Sequence, residues 1–286
     1  MSKATYQLEL PENRTTSVIF ASPHSGRSYP WAFLRKSVLD ELAIRSSEDA
    51  FVDLLFADVP TFGAPLLSAR APRAFVDLNR SRDELDPAVI DSVPRSGLNP
   101  RVASGLGVIP RVVSRGRQIY RGKLSKHEAD LRLTQYWQPY HDVLEGVVAE
   151  NCRMFGQAVL IDCHSMPHEA IDSINRRSGP KAEVVLGDRY GAAANGDIVD
   201  RIEAAFVGAG LTVVRNMPFA GAYVAQHYGR PSLNRHAVQV EIDRSLYMNE
   251  KLVRPNANFR NFQKLITSIA SEISEIGRRE QPLAAE

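Results

Sequence analysis

The chain of 286 residues is poor in cysteine, with only Cys152 and Cys163. Two thiols cannot form the disulfide framework of a secreted protein, so the sequence predicts a reducing compartment, the cytoplasm. The chain also lacks a long apolar run. Its best stretch, residues 204–214, is broken by glycines and is shorter than the roughly 20 residues of a membrane-spanning helix. The first ten residues contain no signal-peptide core, so we expect no membrane partner.

The sequence has no marked excess of charge of either sign. Its 35 lysines and arginines and 33 aspartates and glutamates leave a net charge of +2. So small a charge creates no long-range field that would attract nucleic acid or an anionic membrane. The 18 glycines and 17 prolines are too few for a collagen-like or low-complexity chain, and the 44% hydrophobic content is typical of a globular protein.

Short runs rich in β-branched residues alternate with segments of helical periodicity, a pattern typical of an α/β sheet. Three successive apolar residues, 159–161, favour a central strand that is covered on both faces. The predicted strands are residues 17–22, 73–78, 157–162, 183–187, 211–215 and 236–242.

The helix signals are equally local. Ser125, with a glutamate three residues later, predicts a capped helix that runs toward residue 150 and is kinked or broken before Pro139. Asp197 is the predicted cap of a second helix. A stripe of apolar residues at a spacing of 3.6 over residues 262–276 predicts a C-terminal helix that packs on the sheet.

Residues 81–122 hold no periodicity and are punctuated by glycine and proline. A loop of that length inside a compact domain is unusual unless it has a function, such as forming a wall or lid over a site. The sequence shows no internal repeat and no linker. We therefore expect a single domain over residues 1–286, with residues 81–122 as a loop-rich insertion.

Polar side chains stand at the ends of apolar strands, where open α/β sheets gather their active sites. His24 and His164 each follow such a strand, and Glu241 lies in a third. A single histidine after a strand is usually structural. Together, two imidazoles, a third ligand from Asp49 or Glu48 and a free carboxylate base would satisfy a hydrolytic zinc site. Acidic residues also suit the first turn of a helix, and spacing alone does not separate Asp49 from Glu48.

Alternation along the strands predicts which side chains share a face. Asp162 lies two residues before His164 and is expected to orient an imidazole. Cys163 points the other way, so we interpret it as a small buried hydrophobe. Arg244 lies three residues after Glu241, so the two side chains would face opposite ways unless a turn intervenes.

Nine segments stand in order over about residues 15–250. They are ASPHSGRSYP at 21–30, EDAFVDLLF at 48–56, RAFVDLNR at 73–80, GVIPRVV at 107–113, QPYH at 138–141, DCHSMP at 162–167, LGDRYG at 186–191, PFAGAYVAQHYGRP at 218–231 and HAVQVEIDRSLYMNE at 236–250. Together these segments resemble the N-formylglutamate amidohydrolases, also called N-formylglutamate deformylases. An ordered series is far more specific than any one of its parts.

The resemblance implies a zinc-dependent amidohydrolase that converts N-formyl-L-glutamate to formate and L-glutamate, with a role in histidine breakdown. It implies a three-layer α/β fold of the phosphorylase/hydrolase-like type, with a mixed central sheet, helices on both faces and a layout similar to the zinc carboxypeptidases. Zinc is the expected ion, although imidazole and carboxylate ligands also accept cobalt, manganese or iron.

Carried over residue by residue, the resemblance makes His24, Asp49 and His164 the metal ligands and Glu241 the general base. These assignments imply a mechanism in which zinc lowers the pKa of its bound water and polarises the formyl oxygen. Glu241 takes the proton of the water and passes it to the leaving amine.

A substrate with two carboxylates also needs cations, and the planar fork of arginine suits them. Asn79 and Arg80 are the first candidates, followed by Arg244 and Arg121. His227 is a candidate donor to the tetrahedral oxyanion, although its surroundings fit a packing role equally well.

Two alternatives remain open. The first is a metal-dependent amidohydrolase that cleaves another N-acyl amino acid with the same ion and base. The second, from a different class, is an anion- or nucleic-acid-binding protein, because residues 101–123 are locally basic. That loop has Tyr120 as its one aromatic residue, and the total charge is small, so the sequence favours the enzyme with a small-molecule substrate and no nucleic-acid partner. The sequence does not indicate whether the chain forms oligomers.

Overall fold

The computed structural model describes residues 5–94, 99–171 and 181–278. Within these residues, seven strands form one mixed sheet in the order β1-β3-β2-β4-β7-β5-β6. Strands β3, β2, β4 and β7 run parallel, and β1, β5 and β6 run the opposite way. The strands are β1 Tyr6–Glu9, β2 Val18–Ser22, β3 Leu66–Ala69, β4 Ala158–Met166, β5 Val184–Gly187, β6 Val213–Arg215 and β7 Arg235–Asp243; β8 Met248–Asn249 and β9 Arg254–Pro255 form a separate ribbon.

Helices cover both faces of the sheet, because alternate side chains of each central strand enter opposite apolar layers. One layer contains α3, α7 and α9, and the other contains α1, α2, α5, α6 and α8. This three-layer α/β arrangement confirms the predicted fold class. The helices are α1 Trp31–Lys36, α2 Glu41–Ile44, α3 Val52–Leu55, α4 Pro100–Ala103, α5 Lys126–Arg132, α6 Gln138–Phe155, α7 Gly196–Gly208, α8 Tyr223–Tyr228 and α9 Phe259–Ser274. None of the described helices is long and apolar enough to cross a membrane.

Five of the six predicted strands are present, as β2, β4, β5, β6 and β7. The strand predicted over residues 73–78 is wrong. That segment is irregular, and the backbone N–H of Asp77 donates to the carbonyl of Val108 in the loop-rich segment. Phe75 and Val76 are buried there without a strand ladder, so a short apolar run alone did not distinguish a strand from a packed loop.

The predicted helix signals correspond closely to the structure. The Ser125 side chain accepts a hydrogen bond from the Glu128 N–H at the start of α5. A π-helical turn, Leu133–Trp137, separates α5 from α6, and Pro139 is the second residue of α6. Because proline has no N–H, it cannot donate to the preceding turn, which is where the regular helix is interrupted. Asp197 is not the cap of α7, because the helix begins one residue earlier, after Asn195.

The loop-rich segment, residues 81–122, packs against the sheet rather than projecting from it. Residues 95–98 of it lie outside the described residues. Ile90, Ile109 and Ile119 are fully buried in the same apolar layer as α5 and α6. The segment therefore takes the place of a helix over one end of the sheet, beside the carboxyl ends of the parallel strands.

Strands β4 and β7 form the longest pairing in the sheet, with nine residue pairs in parallel register. In this register His164 and Glu241 are direct neighbours across the two strands. Both face the layer that contains the loop-rich segment, whereas Cys163 and Val240 face the opposite layer. The predicted orientation of Cys163, as a buried apolar residue, agrees with this arrangement.

Candidate active site

Three predicted metal ligands meet at the carboxyl edge of the parallel strands. His24 follows β2, His164 lies on β4, and Asp49 precedes α3. Nδ1 of His24 lies 3.3 Å from Oδ2 of Asp49, and Nδ1 of His164 lies 2.8 Å from the same oxygen. All three residues are buried, and their candidate ligand atoms lie within 4.8 Å of one another. Asp49 lies 25 positions after His24, and His164 lies 115 positions after Asp49, yet the three residues form one cluster.

Backbone and side-chain contacts fix Asp49 in this position. Its N–H donates to the carbonyl of His24 at 3.1 Å, which ties the two loops together. Its second oxygen, Oδ1, accepts a hydrogen bond from Nη2 of Arg244 at 2.8 Å. Glu48, the alternative ligand, is bound instead to Arg45 and Tyr29, away from the cluster. The geometry therefore separates two neighbours that spacing alone did not.

Two further carboxylates orient the imidazoles. Nε2 of His24 lies 2.7 Å from Oδ1 of Asp77, and Nε2 of His164 lies 3.0 Å from Oδ2 of Asp162. An ionised carboxylate only accepts, so each Nε2 is the N–H donor and each Nδ1 presents a lone pair to the centre of the cluster. Nδ1 of His24 is buried without a hydrogen-bond partner among the described residues.

The carboxylates concentrate negative charge around this centre. Burial alone would raise the pKa of Asp49, but its contacts with His164 and His24 hold it well below its usual value. Burial alone would lower the pKa of His164, but Asp162 and Asp49 raise it well above its usual value. Without another cation, the site therefore draws a proton onto His164, which indicates that the cluster requires positive charge.

Glu241 faces the same space from β7. Its side chain is 8% exposed and accepts a hydrogen bond from Nε2 of Gln239 at 2.8 Å. Burial raises its pKa to about 7, and the charge of Asp49 acts in the same direction, against the opposing charges of His164 and nearby arginines. A carboxylate with a pKa near neutrality is suited to accepting and returning a proton.

The cluster opens into a cavity of about 560 Å³. The sheet edge lines one side of it, and the loop-rich segment lines another, as expected for a wall over a site. Phe219 and Ala222 contribute to a third side. The arginines that line the cavity are Arg73, Arg80, Arg101, Arg115 and Arg244.

The structure brings three of the four predicted substrate-binding residues to this cavity. Asn79 donates to Oδ2 of Asp162 at 3.3 Å and accepts from the Val224 N–H, so it also supports the cluster. Arg80 donates through Nε and Nη1 to the carbonyls of Leu106 and Asn79. Arg244 enters the cavity because β7 ends at residue 243 and a 3₁₀ turn follows, which is the turn that its position required.

The remaining predicted site residues are not brought to the cavity. His227 is exposed on α8 and stacks on Tyr223 with ring centroids 5.1 Å apart, because the other face of that helix buries Val224 and Tyr228. Arg121 is exposed on the loop-rich segment. Neither residue lines the cavity. An oxyanion contact from His227 therefore does not fit this arrangement.

Sequence reasoning missed three residues of the site: Arg73, Asp77 and Gln239. Arg73 donates to Oδ2 of Asp77 at 3.0 Å and lines the cavity. Both lie in the segment that was interpreted as a strand, where their role in the site was hidden. Gln239 lies two residues before Glu241 and shares its face, so strand alternation was sufficient to identify it.

The chain is similar to known proteins in both sequence and structure. The sequence model of the family N-formylglutamate amidohydrolase matches residues 16–248. The chain is 28% identical over 238 residues to N-formylglutamate deformylase of Pseudomonas aeruginosa, covering 82% of this chain and 83% of the relative. It is 27% identical over 237 residues to the protein of that name from Pseudomonas putida, covering 82% of each.

Among solved structures, N-formylglutamate amidohydrolase from Ralstonia eutropha JMP134 superposes with a TM-score of 0.89 at 34% identity, covering 96% of this chain and 98% of that one. The gene product Atu2144 of Agrobacterium tumefaciens has a TM-score of 0.66 at 18% identity, covering 96% and 95%, and shares the fold.

Proposed function

We propose that this chain, which belongs to the N-formylglutamate amidohydrolase family, hydrolyses the formamide bond of N-formyl-L-glutamate to formate and L-glutamate. One observation carries the proposal. The buried cluster of His24, Asp49 and His164 faces Glu241 at the base of an arginine-lined cavity. Two curated relatives are named for this deformylation.

The donor set fits a zinc ion. Zinc bonds of about 2.0–2.1 Å in a tetrahedral site place neighbouring ligand atoms about 3.3 Å apart, close to the 2.8 and 3.3 Å separations around Oδ2 of Asp49. The unpartnered Nδ1 of His24 and the excess of carboxylates both favour a cation there. When bound, zinc would polarise the formyl carbonyl and lower the pKa of a water molecule.

Glu241 is the proposed general base and acid. It takes a proton from the attacking water and transfers it to the nitrogen of the leaving amine, so that formate and the free amino group separate. Gln239 holds one oxygen of the carboxylate, which leaves the other free to accept the proton. The pKa of Glu241 near 7 suits both directions of this transfer.

Arg73 replaces His227 as the proposed stabiliser of the tetrahedral oxyanion. Burial alone would lower the pKa of Arg73, but the charges of Asp77 and Asp49 raise it, so the guanidinium stays charged. It lines the cavity, and its charge acts on Glu241. A fixed cation beside the reacting carbonyl stabilises charge that develops in the transition state.

Arg80 is the proposed partner of the α-carboxylate. Within the described residues, Nε and Nη1 of Arg80 have carbonyl acceptors and Nη2 has none, so Nη2 is free to donate to a ligand. Arg244 is bound to Asp49 and to Ser165, and its contact with substrate is restricted to Nη1. The main proposed role of Arg244 is therefore to position Asp49.

The proposal includes a single catalytic domain, because the site draws on residues 24–244, and a role in histidine breakdown in the cytoplasm. Both cysteines are free, which is consistent with a reducing compartment. Basic residues of the loop-rich segment contribute to the cavity, which favours the enzyme over a nucleic-acid-binding protein.

The test combines metal analysis with turnover. Protein purified without chelator is expected to contain about one zinc per chain and to release formate faster from N-formyl-L-glutamate than from N-formyl-L-aspartate. His164→Ala is expected to lose both metal and turnover, and Glu241→Gln to keep the metal and lose turnover about 100-fold or more. Full activity without metal would contradict the metal centre, and retained activity of Glu241→Gln would contradict the base. Faster cleavage of N-acetyl-L-glutamate would favour the alternative amidohydrolase.

A further inference from the structure

Among the described residues, two arginines of the cavity, Arg80 and Arg101, form no ion pair with a carboxylate. Arg73, Arg244 and Arg115 are paired with Asp77, Asp49 and Glu169 at 3.0, 2.8 and 2.9 Å, respectively. Arg101, in the short helix α4 of the loop-rich segment, has no carboxylate within 4 Å in the part of the chain that the structure describes. It nevertheless lines the cavity.

Arg101 and Arg80 both line the cavity and carry like charges. Burial lowers the pKa of Arg80, the negative charge of Asp77 opposes this shift, and the positive charges of Arg73 and Arg101 add to it. Glu84, the nearby carboxylate, already accepts from the N–H of Ser81 and from Nδ2 of Asn99. The two guanidinium groups therefore repel each other, and an anion bound between them would offset that repulsion.

The two arginines come from different parts of the chain. Arg80 follows Asn79, which contacts the oriented imidazole of His164, so Arg80 is tied to the reacting end. Arg101 comes from the wall formed by the loop-rich segment. In an N-formyl dicarboxylic amino acid, the α-carboxylate is nearer the formyl carbon, and the side-chain carboxylate is further away.

We infer that Arg101 determines substrate specificity by binding the side-chain carboxylate, an inference that rests on the proposed deformylase function. A cavity of about 560 Å³ lies in the range of pockets for drug-sized ligands, which are larger than one amino acid. Its volume alone would therefore not exclude neutral side chains. Charge recognition at Arg101 supplies the selection that volume does not.

Kinetics with two substrates of the same shape test this inference. N-formyl-L-glutamine differs from N-formyl-L-glutamate by a neutral amide in place of the side-chain carboxylate. Arg101→Met is expected to lower kcat/KM for N-formyl-L-glutamate about 10- to 100-fold, mostly through KM, because the variant loses a charge-assisted contact with the side-chain carboxylate. The same substitution is expected to change kcat/KM for N-formyl-L-glutamine less than about 3-fold. Arg101→Lys is expected to recover part of the loss, because it keeps the charge without the fork.

Arg117→Met is the matched control, because Arg117 lies in the same segment and does not line the cavity. It is expected to leave both substrates unaffected. Equal losses for both substrates in Arg101→Met, or no loss for either, would overturn the inference.

Calorimetric titration separates this inference from the proposed function. Wild-type protein is expected to bind L-glutamate more tightly than L-glutamine, and Arg101→Met is expected to lose that preference while keeping the wild-type zinc content. If wild-type protein cleaves neither formyl substrate, the proposed function fails and the titration still decides the role of Arg101. An unchanged preference in Arg101→Met would overturn that role.

Discussion

Asp77 and Asp162 decide which nitrogen of each imidazole faces the centre of the His24, Asp49 and His164 cluster. Asp162 was predictable, because alternation along β4 places it on the face of His164. Asp77 was not, because its segment has the composition of a strand and the structure of a loop. The sequence could place two histidines and one glutamate at strand ends, while the choice of Asp49 over Glu48 came from the family resemblance.

Glu241 gives the site a defined pH dependence. The base must be deprotonated to accept a proton from water, so kcat/KM is expected to rise with pH and to level off above the pKa of Glu241. That pKa is raised to about 7 by burial, and a bound cation would lower it, so the midpoint is expected at or below pH 7.

Measuring kcat/KM from the rate of formate release between pH 5 and 9 checks this dependence. Any residual turnover of Glu241→Gln is expected to lack the acidic limb, while its zinc content stays constant over the same range. An acidic limb that persists unchanged in this variant would assign it to another group.

At the scale of elements, a buried arginine holds the irregular segment that carries Arg73 and Asp77. Arg132, on α5, is 2% exposed and donates to the carbonyl of Phe75 and to the hydroxyl of Tyr120. Its guanidinium carbon lies 4.2 Å from the centroid of the Phe75 ring. These contacts come from a helix more than 50 residues away, so local periodicity could not reveal that the segment is a packed loop.

Arg132→Lys is expected to lower the free energy of unfolding by about 3 kcal/mol, because lysine keeps the charge but cannot satisfy the same acceptors in a planar fork. Loosening the segment is also expected to reduce kcat/KM, since Asp77 orients a ligand. Urea denaturation followed by circular dichroism measures the first effect, with the exposed Arg153→Lys on α6 as control. A difference below about 0.5 kcal/mol would show that the guanidinium is dispensable there.

At the scale of the whole molecule, the site joins segments that composition and periodicity could not connect. The fold class followed from alternating strand and helix patterns, whereas the sheet order, with β4 beside β7, did not. The two unpredicted strands of the seven-stranded sheet, β1 and β3, are four residues long each and gave little periodic signal. The proximity of His24, Asp49 and His164 depends on the tertiary fold, so it could be predicted only from the resemblance of the ordered segments to a known family.

Metal removal is therefore expected to weaken the whole fold. An ion that binds only the native cluster stabilises the folded protein by about 2.7 kcal/mol when free metal is a hundred times Kd. Differential scanning calorimetry is expected to show a Tm about 5 °C or more higher for zinc-loaded than for chelator-treated protein. His164→Ala is expected to show no such rise, and an equal rise in that variant would place the stabilising ion elsewhere.

The nine-pair ladder between β4 and β7 has a consequence for how this protein can change over time. Glu241, the proposed base, and His164, a proposed metal ligand, lie on adjacent strands, so backbone spacing of about 4.8 Å sets their separation before any side chain is chosen. Deleting one residue within either strand would turn Glu241 or His164 toward the opposite helical layer. An insertion or deletion in either strand is thus expected to be eliminated by selection, whereas substitutions that preserve the size and polarity of these buried side chains leave the register intact.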